Sequence, residues 1–302
     1  VGSELAKVFE IFESSFRDDD EKRFQSILHP ALQLAPAKRH DLFMGAFSDF
    51  GLSKPKLVRS HLFELTIDDV ARPVAECSTG ILRGVAGPKR QWALFHTILD
   101  ASEQVRFMEL YAEVPRAIEK RHGTQYGIGL VMFHTQVWSH ERKAPGKLLE
   151  EARKWSELGS PLTGWFLAES ATRLLNANPY FQPAELAEAR SITQEMFERG
   201  VRYAEWEHQL SAVPRRWKFV ELSPVYQASG IEPGVRFQAS RDPEPLKLSN
   251  ECRKNLSALV KVLPKLSDRF HGVECLPYGP GEELTRPPAA GSVFLKWSDL
   301  KQ

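Results

Sequence analysis

The order of patterned segments in the first third constrains the fold more than any single residue does. Between residues 4 and 16, Leu5, Val8, Phe9, Phe12 and Phe16 share one face at helical spacing, which predicts an amphipathic helix. The acidic turn Arg17-Asp18-Asp19-Asp20 leads to Phe24, Ile27 and Leu28. His29-Pro30 stops this second helix, because the residue before a proline is driven out of helical geometry. Leu32-Gln33-Leu34 fits a short strand, and Leu42, Phe43, Ala46, Phe47 and Phe50 predict a third helix over 38–50, closed by Gly51. The runs 57–68, 73–83, 89–100 and 105–114 then alternate with period two. Short polar turns separate them (Asp69 to Arg72, Gly84 to Pro88, Ala101 to Gln104), which predicts an antiparallel meander.

These segments, with their helix–Asp–helix–His–Pro opening, resemble the nuclear transport factor 2-like superfamily of cystatin-like α+β cones over roughly residues 4–114. The resemblance implies a long curved antiparallel sheet wrapped around helices, often enclosing a pocket. Members of that superfamily include isomerases, dehydratases and polyketide cyclases beside many non-catalytic binding or assembly modules. Kinship of this sort implies shape and does not choose an activity.

Residues 116–205 change character. Val114-Pro115 ends the sheet, and breaks at Ala144-Pro145-Gly146, Gly159-Ser160-Pro161 and Asn178-Pro179 predict helices over 125–141, 146–158, 162–177 and 183–199. Trp155, Leu158, Gly159, Ala171, Leu175 and Pro183 fall at the spacing of one tetratricopeptide repeat, which this stretch resembles. In such a unit Trp and Leu fill the space between paired helices, Gly permits the turn, Ala lets the helices cross closely, and Pro opens the next helix. No second copy lies 34 residues upstream, where Arg121 stands. The expectation is a single hairpin rather than a solenoid.

In the last hundred residues, Trp217, Phe219, Val235, Phe237, Val273, Cys275, Val293, Leu295 and Trp297 suggest strands. A helix over 250–267 would turn Leu256, Leu259, Val260, Leu263 and Leu266 inward, with Pro264 kinking or ending it. The whole reads as α+β: a curved antiparallel sheet with helices over 1–115, a helical segment over 116–205 and a small α+β domain over 206–302.

Composition removes several classes of partner. With 40 basic and 39 acidic residues among 302, the net charge is +1 and no global field draws nucleic acid or an anionic membrane. No apolar run approaches the roughly 18 residues of a membrane span. The chain starts Val1-Gly2-Ser3 without Met, which leans towards export, although a cloning remnant would read the same way. Of three cysteines, Cys77 alternates with Ala75 and Thr79 and reads as core. A bridge between Cys252 and Cys275 is geometrically open, the plainer reading being separate buried thiols.

Chemistry-bearing clusters are sparse. If Asp100 pairs with Val105, then His96 faces Glu109, Ile98 faces Phe107 and Leu94 faces Tyr111, all on one face with Trp92. A carboxylate beside an imidazole favours its charged form and fixes its tautomer, as acid–base work needs. A polar pair on a half-solvated face or an interface would look the same. Asp68-Asp69 and Asp18-Asp19-Asp20 sit at turns, where Asp bonds the local backbone. Neither a calcium loop nor a His-Glu-x-x-His pair is present, and His134 and His140, six apart, do not share a helix face. Gly84-Val85-Ala86-Gly87-Pro88-Lys89-Arg90 joins two strands and lacks the ending of a phosphate loop. Neither a nucleophile elbow nor a dinucleotide fingerprint occurs. Asn255-Leu256-Ser257, a formal glycosylation triplet, lies in a predicted helix and reads as chance.

The expectation is therefore a soluble binding or interaction protein without its own catalysis, cofactor or metal. Its partner would be a small molecule or a protein, with a homodimer also open. The alternative is a small-molecule isomerase, cyclase or hydrolase using His96 and Glu109 in a pocket lined by Trp92, Leu94, Ile98, Phe107 and Tyr111.

Overall fold

The computed structural model describes residues 2–18, 20–30, 56–66, 74–77, 80–83, 90–99, 104–113, 128–137, 139–141, 143–177, 181–206, 217–227, 230–260, 263 and 266–300. The chain is α+β and divides into two compact units: Val1–Arg142 with Leu174–Leu186, and Lys143–Arg173 with Ala187–Gln302. The segment 116–205, expected to stand by itself, is shared between them.

Unit 1 opens with helices α1 (Gly2–Arg17) and α2 (Glu21–Ser26). Val8, Phe12 and Phe24 are buried, with the Phe12 and Phe24 rings 6.0 Å apart. The acidic turn is a helix start. Asp20 caps α2 by accepting the Arg23 N–H at 3.0 Å, while Asp18 accepts from the Arg23 guanidinium at 2.8 Å. The expected strand at 32–34, the helix over 38–50, the pair Asp68-Asp69 and residues 84–89 of the glycine-containing run lie outside the described residues.

Four strands form the main antiparallel sheet of unit 1: β1 (Lys56–Thr66), β4 (Arg90–Leu99), β5 (Gln104–Glu113) and β6 (Ile128–Val137), in that order across it. Two expectations are corrected here. The run 73–83 is not the second strand of a meander but a hairpin, β2 (Val74–Cys77) and β3 (Gly80–Arg83), with Cys77 opposite Gly80. The hairpin joins β7 (Phe181–Pro183) in a separate three-stranded sheet, so β1 pairs with β4 instead. The second correction concerns 125–141, expected as a helix, where residues 128–137 form β6 against β5 and α1. That run is rich in β-branched and aromatic residues, and Gly127 and Gly129 at its start weaken a helix.

Unit 2 is built on α3 (Pro145–Glu157), α4 (Pro161–Asn176) and α5 (Glu185–Gly200), close to the expected bounds; the C-terminal end of α4 and the first residues of α5 belong to unit 1. The tetratricopeptide-like roles hold only in part. Ala171 and Leu175 are buried, but Trp155 is half-buried and Leu158 is 75% exposed. Pro183 lies in β7 opposite Gly80, ahead of α5 rather than opening it. Gly159 does serve the turn. At φ +81° it lets its own N–H reach Ser156 O at 3.1 Å and that of Ser160 reach Trp155 O at 2.9 Å, closing α3 with a Schellman motif. Leu158 is the residue just before this left-handed position, which turns it outward.

Close helix packing falls on a residue the sequence pattern did not single out. A Cβ on Gly164 would stand 2.7 Å from Ala152 O and 2.9 Å from Met196 Sδ, so α3, α4 and α5 meet where α4 has no side chain. Arg153 and Glu188 (2.6 Å) tie α3 to α5, and the Thr172 and Thr193 hydroxyls (2.9 Å) tie α4 to α5.

The second sheet runs β11-β10-β9-β8, comprising β8 (Trp217–Gln227), β9 (Gly230–Ala239), β10 (Gly272–Tyr278) and β11 (Val293–Lys296). Its outer pairs are antiparallel and the central β9–β10 pair is parallel, joined through helix α6 (Leu248–Val260). The expected strand residues take their places except Trp297, which opens a final turn of helix, α7 (Trp297–Leu300). The helix foreseen to 267 is described over Leu248–Val260, with Leu256 and Leu259 buried, and Leu263 N still donates to Leu259 O at 3.0 Å; residues 261, 262, 264 and 265 lie outside the described residues. Asn255 is buried within it and donates to Glu251 O at 2.9 Å.

A chain of rings joins helices to sheet: Trp165–Phe197 at 6.0 Å, Phe197–Tyr203 at 5.9 Å, Tyr203–Phe219 at 5.6 Å and Phe219–Phe237 at 6.4 Å. Burial pushes the Tyr203 hydroxyl pKa up, and that oxygen accepts the Leu222 N–H at 3.1 Å. Cys252 on α6 and Cys275 on β10 form a disulfide with their Cα atoms 5.9 Å apart, which overturns their reading as separate thiols. Glu151 is also tied to two segments, to Lys143 and to Arg269 Nε at 2.7 Å. Burial opposes its ionisation, but these two cations prevail and hold the carboxyl below its usual range.

Gly164→Ala is expected to cost about 1–3 kcal/mol by forcing α3 and α5 apart. Gly159→Ala, with open space around it but a left-handed backbone, should cost about 1 kcal/mol. Urea denaturation of both variants checks the ranking, and a larger loss at Gly159 contradicts it.

Candidate functional site

The candidate residues of unit 1 all lie on β4 and β5. The ladder places Trp92 opposite Tyr111, Leu94 opposite Glu109, His96 opposite Phe107 and Ile98 opposite Val105. The expected direct pairing of His96 with Glu109 is corrected: Leu99 pairs with Gln104, so the register is two residues away from the one foreseen. A slip of two keeps every residue on its face, because side chains alternate with period two. All seven candidates therefore stay together. What changes is the rung: His96 and Glu109 become diagonal neighbours, about 7–8 Å apart rather than about 5 Å.

The flanking strands widen this face. From β1, Ser60 stands opposite His96, Leu62 opposite Leu94 and Glu64 opposite Trp92. From β6, Thr135 stands opposite Phe107, Phe133 opposite Glu109 and Leu130 opposite Tyr111. Three rungs result. Glu64-Trp92-Tyr111-Leu130 and Leu62-Leu94-Glu109-Phe133 are mainly apolar, and Ser60-His96-Phe107-Thr135 carries a serine, a histidine and a threonine. Ser60, Glu64 and Thr135 were missed because β1 was expected beside the 73–83 run and β6 was expected as a helix. The opposite face holds His61 opposite Phe95 and His134 opposite Met108. His140 follows β6, and burial drives its imidazole down to about 4.

Unit 2 contains a pairing with no local trace in the sequence. Glu232 on β9 is fully buried. One carboxylate oxygen accepts the backbone N–H groups of His271 and Gly272 at 3.0 and 3.2 Å, and the other meets His271 Nδ1 at 3.0 Å. The imidazole is itself 70% exposed, so the carboxylate fixes the start of β10 and orients a solvent-facing ring. Further along the sheet, Arg236 pairs with Glu221 across β9 and β8, and Glu274 accepts from Gln227. The Pro- and Gly-dense loop after β10 is held by two anchors. The Tyr278 hydroxyl donates to Arg286 O at 3.0 Å, and Glu282 accepts from Gly279 N at 2.8 Å. These groups pair with one another within unit 2, although Arg236 Nε is buried without a hydrogen-bond partner among the described residues. Among the described residues no three His, Cys, Asp or Glu side chains are placed to hold a metal ion, and no helix is long and apolar enough to cross a membrane.

No protein-family model matches this chain, and no curated protein or solved structure matches it either. The candidate face stands on its own register and residue content.

Glu232→Ala is expected to destabilise the protein by about 2–4 kcal/mol, since it leaves the buried Gly272 N–H and the part-buried His271 N–H without their acceptor. His271→Ala removes an exposed ring and should cost under about 1 kcal/mol. Denaturant midpoints of the two variants check this; equal losses would contradict a backbone-anchoring carboxylate.

Proposed function

We propose that this chain is a binding or interaction protein without its own catalysis, and that the β1-β4-β5-β6 face bearing Trp92, Leu94, Ile98, Phe107 and Tyr111 contacts the ligand or partner. The observation that carries the reading is the β4–β5 register, which groups these five residues while setting His96 and Glu109 on different rungs. Aromatic and aliphatic positions across two rungs suit an apolar surface. His96, Ser60 and Thr135 at one end and Glu64 and Glu109 among the apolar positions would supply direction through hydrogen bonds, as in sites where a few polar groups orient a mainly apolar ligand. The resemblance to nuclear transport factor 2-like proteins supports the same reading, because many of its members bind without catalysing.

The diagonal placement of His96 and Glu109 favours one second reading, a small-molecule enzyme in which substrate fills the gap between imidazole and carboxylate. Under it, a substrate's proton would pass to His96 or Glu109 rather than between them.

Titration of the native protein with 8-anilinonaphthalene-1-sulfonate, an apolar anion, tests the binding face. Saturable fluorescence enhancement is expected, at least about 5-fold weaker for Phe107→Glu, which replaces an apolar ring by a charge. Enhancement that is absent, or unaltered in Phe107→Glu at unchanged circular dichroism, contradicts the proposal.

A further inference from the structure

The Cys252–Cys275 bond joins helix α6, which lies between the two parallel strands in sequence, to the strand that follows it. Both residues are fully buried, and they are 23 positions apart in sequence. A parallel pair cannot be closed by a tight turn, so β10 reaches β9 only if α6 docks on the sheet. Apolar burial of Leu256 and Leu259 favours that docking. The same helix also carries a polar cost, since Asn255 Oδ1 is buried with no hydrogen-bond partner.

From this we infer that unit 2 is completed by oxidation, and that the chain works in an oxidising compartment outside the cytoplasm. The two thiols release two protons and two electrons as the S–S bond forms. The electrons pass to a disulfide-bearing oxidant of the thiol–disulfide exchange class, which leaves as a dithiol. Once closed, the bond is sealed from solvent and out of reach of attacking thiolates, as a structural rather than a regulatory disulfide is. Such bonds persist where thiols are not held reduced. This inference concerns the assembly of unit 2 and holds whatever the unit 1 face binds.

Thiol trapping in the source cells tests it. Cells are quenched in acid, the chain is denatured and alkylated with N-ethylmaleimide, and its mass is measured before and after reduction. One maleimide, on Cys77, is expected before reduction and three after. Three before reduction overturns the inference. The role of the bond is read separately from the double variant Cys252→Ala/Cys275→Ala. Its melting midpoint is expected to fall by about 5–10 °C, with faster amide exchange over 248–278. If that variant does not accumulate, wild-type protein treated with dithiothreitol in mild denaturant supplies the same readout. An unchanged midpoint in either form overturns the locking role.

Discussion

The β4–β5 ladder decides what the candidate face can do. Alternation along each strand puts Trp92, Leu94, His96 and Ile98 on the same side as Val105, Phe107, Glu109 and Tyr111 for any register displaced by an even number of residues. The particular register then decides between a contacting acid–base pair and a patterned binding surface. With Leu99 opposite Gln104, His96 faces Phe107 and Glu109 faces Leu94. The imidazole thus lacks a carboxylate on its own rung, and the apolar rungs lie side by side. Everything proposed for unit 1 follows from that two-residue distinction.

Unit 2 solves a different physical problem. Its central strand pair is parallel, so its closure depends on long-range devices: a crossover helix, a buried disulfide, a chain of aromatic rings and a fully buried carboxylate. Glu232 shows the logic well. A buried carboxylate is costly unless each oxygen is used, and here both are spent on the two residues that begin β10. The charge that could have marked a reactive centre instead fixes where a strand starts. The half-exposed Arg236–Glu221 pair adds less, since solvent screens such an interaction.

Local signals carried much of this architecture. The apolar stripes over α1 and α6 are read at helical spacing, and the proline and glycine breaks place the ends of α3, α4 and α5 within a few residues. Features that depend on a distant partner were not legible. The run 128–137 is apolar enough for either a buried helix or a strand, and only β5 decides it. The 73–83 run alternates cleanly, yet Val74–Cys77 and Gly80–Arg83 pair with each other and β1 takes β4 as its neighbour. The breaks at Pro145 and Pro161 placed α3 and α4, but the roles expected from tetratricopeptide-like spacing differ: Leu158 is exposed, Pro183 belongs to a strand, and the close crossing is made by Gly164. Glu232 and His271 lie 39 positions apart, with no motif between them. The bond between Cys252 and Cys275 likewise required knowing that α6 lies against β10.

Paired cysteine substitutions across β4 and β5 test the register most directly. In a Cys77→Ser background, His96→Cys/Phe107→Cys should close an intramolecular bond under mild oxidation much faster than His96→Cys/Glu109→Cys. Only direct partners bring Cβ atoms within about 5 Å. Faster closure of the 96–109 pair would set imidazole against carboxylate on one rung and contradict the binding-face account.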